Sequence, residues 1–238
     1  MINRTLNYGR DNIERFLELS APYSTVLDLG AGSGADLLLA RKVNPSARLL
    51  ALEGHAPNVA KLAAIGVEAL AHDLEHGVFP FPDESLDVVI ANQVLEHTKE
   101  LFWIFHEITR TLRVGGKAIV GVPNLAAFHN RLLLAIGRQP SPVKTLSAHV
   151  PRHVRGFTRG DLLGFLQGCF PGGYRLADFR GANFYPFPPG IARPLARAFP
   201  TLAWGIFFLL EKTRPYGRGF LDAPIREELE TPFYLGPA

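Results

Sequence analysis

The chain has 238 residues, 47% hydrophobic and 20% charged. That suits one α/β domain with a continuous core and excludes a disordered protein. Its one cysteine, Cys169, excludes a disulfide framework and any zinc site built on several thiolates, and fits a reducing, cytoplasmic setting. The net charge of +3 hides a division: residues 138–218 carry 12 Lys and Arg against 3 Asp and Glu, a block able to steer an anionic partner, while the segments on either side are net negative.

Met1–Tyr8 has no apolar run, so no secretory signal is expected. Ser24–Leu29 reads as a short apolar strand ending in a glycine run. Ala35–Val43 reads as a helix stopped by Asn44-Pro45, then a strand over Arg48–Leu52, a helix near Pro57–Ile65 and a strand over Val67–Ala71. Leu86–Ala91 is a continuous apolar run, as in a strand buried on both faces. The spacing of Leu101, Ile104, Phe105, Ile108 and Leu112 predicts a helix over Glu100–Leu112, ended by Gly115-Gly116 before a strand over Lys117–Val122. This order implies a doubly wound, mostly parallel α/β sheet. Beyond Pro123, Leu125–Ile136 looks helical, and Gly137–Gly156 reads as a loop or lid. Thr158–Gln167 reads as a helix with Thr158 as N-cap. A strand over Tyr174–Phe179, a short helix over Ala192–Phe199, a last strand over Leu202–Glu211 and a polar tail over Gly219–Ala238 follow.

Val26-Leu27-Asp28-Leu29-Gly30-Ala31-Gly32-Ser33-Gly34 is the strongest signal: a strand, alternating glycines, then a helix. Glycine lets the backbone turn sharply and a ligand approach it. Glu53, about 20 residues on, closes the second strand, where a carboxylate can accept from both hydroxyls of a ribose. Gly30 to Ala35 also satisfies the dinucleotide fingerprint, which leaves a nicotinamide enzyme open. Asp28 favours a ligand carrying an ammonium group over a pyrophosphate, which it would repel.

Asp28–Gly34 resembles the first motif of the class I S-adenosylmethionine-dependent methyltransferases. Glu53, His72-Asp73-Leu74, Asn92-Gln93-Val94-Leu95-Glu96-His97 and Leu112-Arg113-Val114-Gly115-Gly116-Lys117 fall where that family has its further motifs. The likeness covers about residues 20–125 and is closest to small-molecule enzymes with Leu-Glu-His after the fourth strand. His153-Val154-Arg155-Gly156-Phe157-Thr158 resembles a segment of bacterial members related to methionine-biosynthesis and polysaccharide-cluster methyltransferases. The resemblance implies a seven-stranded Rossmann-like sheet with a C-terminal lid, and S-adenosylmethionine as cofactor. It places Gly30, Ala31 and Gly32 against the methionine part, Asp28 at its ammonium, and Glu53 with Gly54 at the ribose. It also places Asp73 and Leu74 at the adenine, and Asn92 beside the methionine moiety. Residues 1–125 would form the cofactor half, 126–218 the acceptor lid and last two strands, and 219–238 a tail.

Methyl transfer to a hydroxyl is helped by a base near neutral pKa, and His97, His149 and His153 are the candidates. Pro151 stands between His149 and His153, and no Cys or carboxylate lies near them in sequence, so no metal site is expected. Glu96 reads either as a helix-start acid or as a site residue, and Asp87 as structural. The place after strand four lacks the Asn/Asp-Pro-Pro-aromatic pattern of nucleic-acid amino methyltransferases, so no nucleic-acid partner is expected. Ala198–Leu210 is too short to span a bilayer. It reads as the last core strand, with a weak membrane-surface contact flanked by Arg193, Arg197, Lys212 and Arg214 as the alternative. The expected function is methylation of a small-molecule or glycan-like, anionic acceptor, at oxygen because the candidate bases are histidines. A nicotinamide-dependent oxidoreductase and a non-catalytic cofactor-binding domain are the alternatives.

Overall fold

Strands β1 (Thr25–Leu29), β2 (Arg48–Glu53), β3 (Glu68–Ala71), β4 (Leu86–Asn92) and β5 (Leu112–Pro123) pair in parallel. Strands β6 (Tyr174–Ala182) and β7 (Gly205–Lys212) close the sheet, with β7 antiparallel to both neighbours. The order is β3-β2-β1-β4-β5-β7-β6. This is a computed structural model, describing residues 9–140 and 153–217. The helices are α1 (Arg10–Ser20), α2 (Ala35–Val43), α3 (Ala56–Ala64), α4 (Leu101–Thr111), α5 (Phe128–Ala135), α6 (Arg159–Cys169) and α7 (Pro189–Ala198).

Alternate residues of a strand point to opposite faces, and the core divides accordingly. Val26, Leu49, Ala51, Val88, Ile90 and Ile119 pack with Ile13, Phe16 and Leu17 of α1, Leu37 of α2 and Leu62 of α3. Leu27, Leu29, Leu50, Leu52, Val89 and Val120 pack on the other face with Ile104, Phe105 and Ile108 of α4 and Leu162 and Leu166 of α6. Strands covered on both sides carry apolar residues in succession, which is why β4 reads as an unbroken apolar run.

The structure departs from the sequence reading in three places. Helix α1 is absent from that reading, yet it carries much of one core face. Helix α4 ends at Thr111, and β5 starts at once rather than after Gly115-Gly116. The two glycines lie in an irregular stretch of β5, where pairing jumps from Leu86–Leu112 to Val88–Lys117. Their Cβ-free backbone permits this: a Cβ on Gly116 would stand 2.9 Å from the Arg113 carbonyl. Lastly, Pro200–Leu202 is a 3-10 turn, and the last strand begins only at Gly205. Thr158 caps α6 as expected, its Oγ1 accepting from the Asp161 amide at 3.1 Å.

Ile206–Leu210 is buried between the two faces of the sheet. Lys212 is fully buried too, and its three donors reach Glu84 (2.8 Å) and the carbonyls of Thr109 (2.8 Å) and Leu112 (2.7 Å). Burial lowers its pKa against the pull of Glu84. Lys212 is therefore a strut between β7 and α4, and the membrane-surface reading of this segment is corrected. Among the described residues no helix is long and apolar enough to cross a membrane.

Candidate active site

Strand order reverses at β1, whose neighbours are β2 on one side and β4 on the other. The connections after β1 and β4 diverge there and leave a crevice at the carboxyl ends of the strands, the usual ligand position in such sheets. The glycine turn fills the mouth of this crevice. Gly30, Gly32 and Gly34 all have positive φ (64°, 55° and 80°), which costs a side-chain-bearing residue roughly 1–2 kcal/mol. A Cβ on Gly30 or Gly34 would collide with Val94 or with Leu62 and Ile65. A Cβ on Gly32 would meet nothing within 4 Å. The space above Gly32 is thus open, as a ligand approaching the main chain requires.

Glu53 stands at the end of β2 and is buried. Its Oε2 accepts from the Gly32 amide at 2.7 Å and its Oε1 from the His55 amide at 2.8 Å. One carboxylate therefore fastens the turn after β1 to the turn after β2. A carboxylate has about four acceptor sites, so two remain beyond these amides. Gly54 is exposed beside it and Ala31 half-buried in the turn.

Asp28 is buried in β1. Burial, and behind it the neighbouring carboxylates Asp36 and Glu53, push its carboxyl well above the usual carboxylate range, with Arg10 acting the other way. Asp36, on the first turn of α2, accepts from Arg10 Nε at 3.0 Å and from Asn92 Nδ2 at 2.7 Å. Gly121 of β5 makes room for Asn92: a Cβ there would lie 2.4 Å from Asn92 Oδ1. Sequence reasoning singled out Asp28, Glu53 and Asn92 but not Asp36 and Arg10, which the structure joins to Asn92. Asp36 passes for an ordinary acid on the first turn of a helix, and Arg10 lies on the helix that the strand pattern did not include.

Asp73 is exposed and caps its own turn, accepting from the Glu75 amide at 2.9 Å and pairing with His76 Nδ1 at 2.9 Å. The amide hydrogen bond, and then His76, hold its carboxyl below the usual range. Leu74 beside it is buried in the core. Asp87 is structural, as its position predicts: its Oδ2 accepts from the amides of Ser24 (2.7 Å) and Thr25 (2.9 Å).

Beyond β4 the chain turns at Gln93, a non-glycine residue with φ of 58°, into a 3-10 turn over Leu95–His97. Glu96 is only 1% exposed, so it is not a solvated helix-start acid. Its Oε2 has no hydrogen-bond partner, and burial pushes its carboxyl up to about 7 against a hydrogen bond from its own backbone. His153, 56 residues beyond His97 in the chain, arrives here: the Val154 amide donates to the Glu96 carbonyl at 2.8 Å. Arg155 donates to the carbonyls of Thr98 (3.2 Å) and Lys99 (2.5 Å). The His97 and His153 rings meet edge to face, centroids 4.8 Å apart. Two of the three candidate histidines are therefore brought together, and a carboxylate joins them. The reading that no carboxylate lies near His153 fails, because it considered only neighbours in sequence. His149, much of the lid and the tail fall outside the described residues.

Among the described residues, several cations of the positive block are engaged within the chain. Arg155 is a half-buried strut whose pKa burial lowers. Arg175 pairs with Glu211, Arg180 with Asp178 at 2.8 Å, and Lys212 is internal. An open cleft of about 650 Å³ between α1, β6 and α7 includes Arg193 and Arg197 but also Asp11, Glu14 and Glu18, and shares no residue with the glycine turn. At the glycine turn, by contrast, buried carboxylates stand beside accessible backbone.

The sequence model of the family described as "Methionine biosynthesis protein MetW" matches residues 10–149. The chain belongs to the MetW family. The match spans the glycine turn, Glu53, Asn92 and Glu96-His97, and ends before His153. Among curated MetW relatives, the bifunctional methionine biosynthesis protein MetXA/MetW of Rhodopirellula baltica is 33% identical over 129 residues, 51% of this chain and 20% of that protein. The arsenite methyltransferase of Halobacterium salinarum is 36% identical over 132 residues, 52% of this chain and 33% of that enzyme. The chain thus matches a third or less of the length of these two relatives. Solved structures share the fold at low identity. One is the complex of the Haloferax volcanii Trm112 activator with a putative methyltransferase (TM-score 0.58, 16% identity, 89% of this chain and 95% of that one). Another is the 1,6-didemethyltoxoflavin-N1-methyltransferase of Burkholderia thailandensis with bound S-adenosylhomocysteine (TM-score 0.58, 18% identity, 86% of this chain and 78% of that one). This MetW chain has the sheet of the class I S-adenosylmethionine-dependent methyltransferases.

Proposed function

We propose that the protein is an S-adenosylmethionine-dependent methyltransferase acting on a small-molecule or glycan-like acceptor, at oxygen. The observation that carries this reading is the charge of the crevice: Asp28, Asp36 and Glu53 cluster around the glycine turn with Arg10 as the positive group among them. An anionic pyrophosphate would add to that repulsion, whereas a cofactor with an ammonium and a sulfonium relieves it. In this reading the ammonium lies toward Asp28 and the methionine chain over Gly30–Gly32, beside Asn92. The ribose meets the free acceptor sites of Glu53, with Gly54 alongside, and the adenine reaches Asp73 and Leu74. The chain's work is to hold the acceptor oxygen in line with the activated methyl. Residues 126–218 supply His153 to the acceptor side, where it meets His97.

Calorimetric titration of the full chain with S-adenosylhomocysteine and, separately, with NAD tests the cofactor half. Binding of the first and not the second is expected, and tight NAD binding alone would overturn the reading. Transfer of label from methyl-labelled S-adenosylmethionine to a panel of hydroxylated acceptors tests the other half. Label on nitrogen or carbon rather than oxygen would refute O-methylation.

A further inference from the structure

We propose that Glu96, His97 and His153 form a binding site for one divalent transition-metal ion of the zinc, cobalt or manganese class, with coordination positions left open for an oxygen of the acceptor. The ion site stands on the side-chain geometry alone. The role of the open positions rests on the methyltransferase reading above.

One ligand atom from each of the three residues lies within 4.8 Å of the other two. Around an ion about 2.0–2.2 Å from its ligands, donor atoms stand roughly 3–3.5 Å apart. The cluster is thus assembled but slightly open, and His97, its exposed member, is the one with room to adjust. Glu96 supplies the second observation. Its Oε2 is buried and without a hydrogen-bond partner, and its carboxylate contributes an oxygen to this cluster. A buried carboxylate oxygen left unsatisfied is costly, and a cation at the cluster would satisfy it. The scaffold also holds the group against drift: the Val154 amide and the Arg155 guanidinium tie the His153 segment to the carbonyls of Glu96, Thr98 and Lys99.

The ligand types select the ion. Two imidazoles and one carboxylate, with no thiolate, suit borderline divalent ions; magnesium and calcium prefer all-oxygen shells. Three protein ligands leave room for water or substrate, as catalytic rather than structural sites do. The 3-10 turn that carries Glu96 and His97 directly follows β4, whose last residue, Asn92, is tied to Asp36 of the cofactor crevice. An acceptor oxygen on such an ion would stand on the acceptor side of the cofactor with a lowered pKa. The two histidines then act as ligands rather than as proton acceptors.

The test uses untagged full chain stripped with a chelator and titrated with Co(II), followed by visible absorption, with Zn(II) as competitor. The expectation is one equivalent bound, with ligand-field bands that Zn(II) abolishes. H97A, H153A and E96Q should each weaken Co(II) binding at least tenfold, and H76A should not. Glu96 is buried, so a misfolded E96Q would decide nothing; His97 is exposed, and H97A keeps the test decisive. Absence of bands at one equivalent, or bands unmoved by H97A and H153A, would overturn the site. S-adenosylhomocysteine titrated into the same stripped protein separates the two ideas. Failure there removes the methyltransferase reading and leaves the ion site standing, and loss of Co(II) binding alone does the reverse.

Discussion

Asp28→Asn separates stability from ligand binding in the cofactor crevice. The Asp28 carboxyl is raised by burial and by Asp36 and Glu53, with Arg10 opposing. Its folded pKa therefore lies above its unfolded one, and the folded state holds the proton more tightly. For an acid shifted this way, stability is greatest at low pH and falls as pH rises from the ordinary carboxylate range toward the folded pKa. Asparagine has no proton to lose, so the variant escapes that decline. At neutral pH the free variant should melt higher than wild type, by roughly 2–4 °C for each kcal/mol regained in a chain of this size. Binding should move the other way. A charge-assisted hydrogen bond to the ammonium is worth about 1.5–3 kcal/mol, so S-adenosylhomocysteine should bind about ten- to a hundredfold more weakly. Wild type should also lose affinity as pH falls through the raised pKa, and release a proton on binding that the variant does not. The assays are thermal denaturation without ligand and calorimetry in two buffers of different ionisation enthalpy. A lower melting temperature for free Asp28→Asn, or an unchanged dissociation constant, would refute the argument.

Gly32→Ala should cost the free protein only the left-handed backbone strain, roughly 1–2 kcal/mol, because its Cβ meets nothing within 4 Å. Cofactor binding should nevertheless fail in calorimetry; normal affinity would mean that no ligand passes over the turn. Glu53→Ala should weaken S-adenosylhomocysteine by about 1.5–3 kcal/mol and also loosen the turn it splints, seen as faster amide exchange at Gly32; unchanged affinity would remove Glu53 from the ribose. Arg155→Ala should release His153 from His97 and lower turnover with little change in cofactor affinity; weakened cofactor with unaltered turnover would place Arg155 elsewhere in the mechanism. Burial alone would raise the Glu107 carboxyl, but hydrogen bonds from His106, Arg110 and the Phe79 amide outweigh it and bring it down to about 2. The folded pKa is below the unfolded one, so this stability is present above about 4.5 and is lost as pH falls toward 2. Glu107→Gln should therefore cost about 3 kcal/mol at neutral pH, with the gap to wild type closing in acid; a gap independent of pH in denaturant titrations would refute it.

The sheet was legible because its signals are local. The apolar run of β4, the glycine turn after β1 and the Thr158 cap each depend on a few adjacent residues. Helix α1 was not, since its apolar residues Ile13, Phe16 and Leu17 precede the first strand and no motif points to them. The early start of β5 was hidden because Gly115-Gly116 carries the same chemistry in a helix stop and in an irregular strand. The buried carboxylates Asp28 and Glu53 beside the glycine turn were legible because the motif fixes their spacing from it. Asp36 and Arg10 were not, because their role exists only once α1 lies against α2.

The Glu96 cluster shows the same limit from the other side. Each member looks ordinary in sequence: an acid at the start of a turn, its neighbouring histidine, and a histidine in a basic loop. The meaning of the three comes from a clamp of main-chain bonds. The Val154 amide takes the carbonyl of Glu96, and Arg155 takes the next free carbonyls at Thr98 and Lys99. An arginine used this way keeps its charge but directs its donors at the backbone, so it is not open to direct contact with an acceptor. The direct contacts open to an acceptor are therefore fewer than the cations of residues 138–218 suggest: Lys212, Arg155, Arg175 and Arg180 answer groups within the chain. Acceptor selection by this protein should accordingly depend less on contacts to these four cations, and more on what can reach Glu96, His97 and His153.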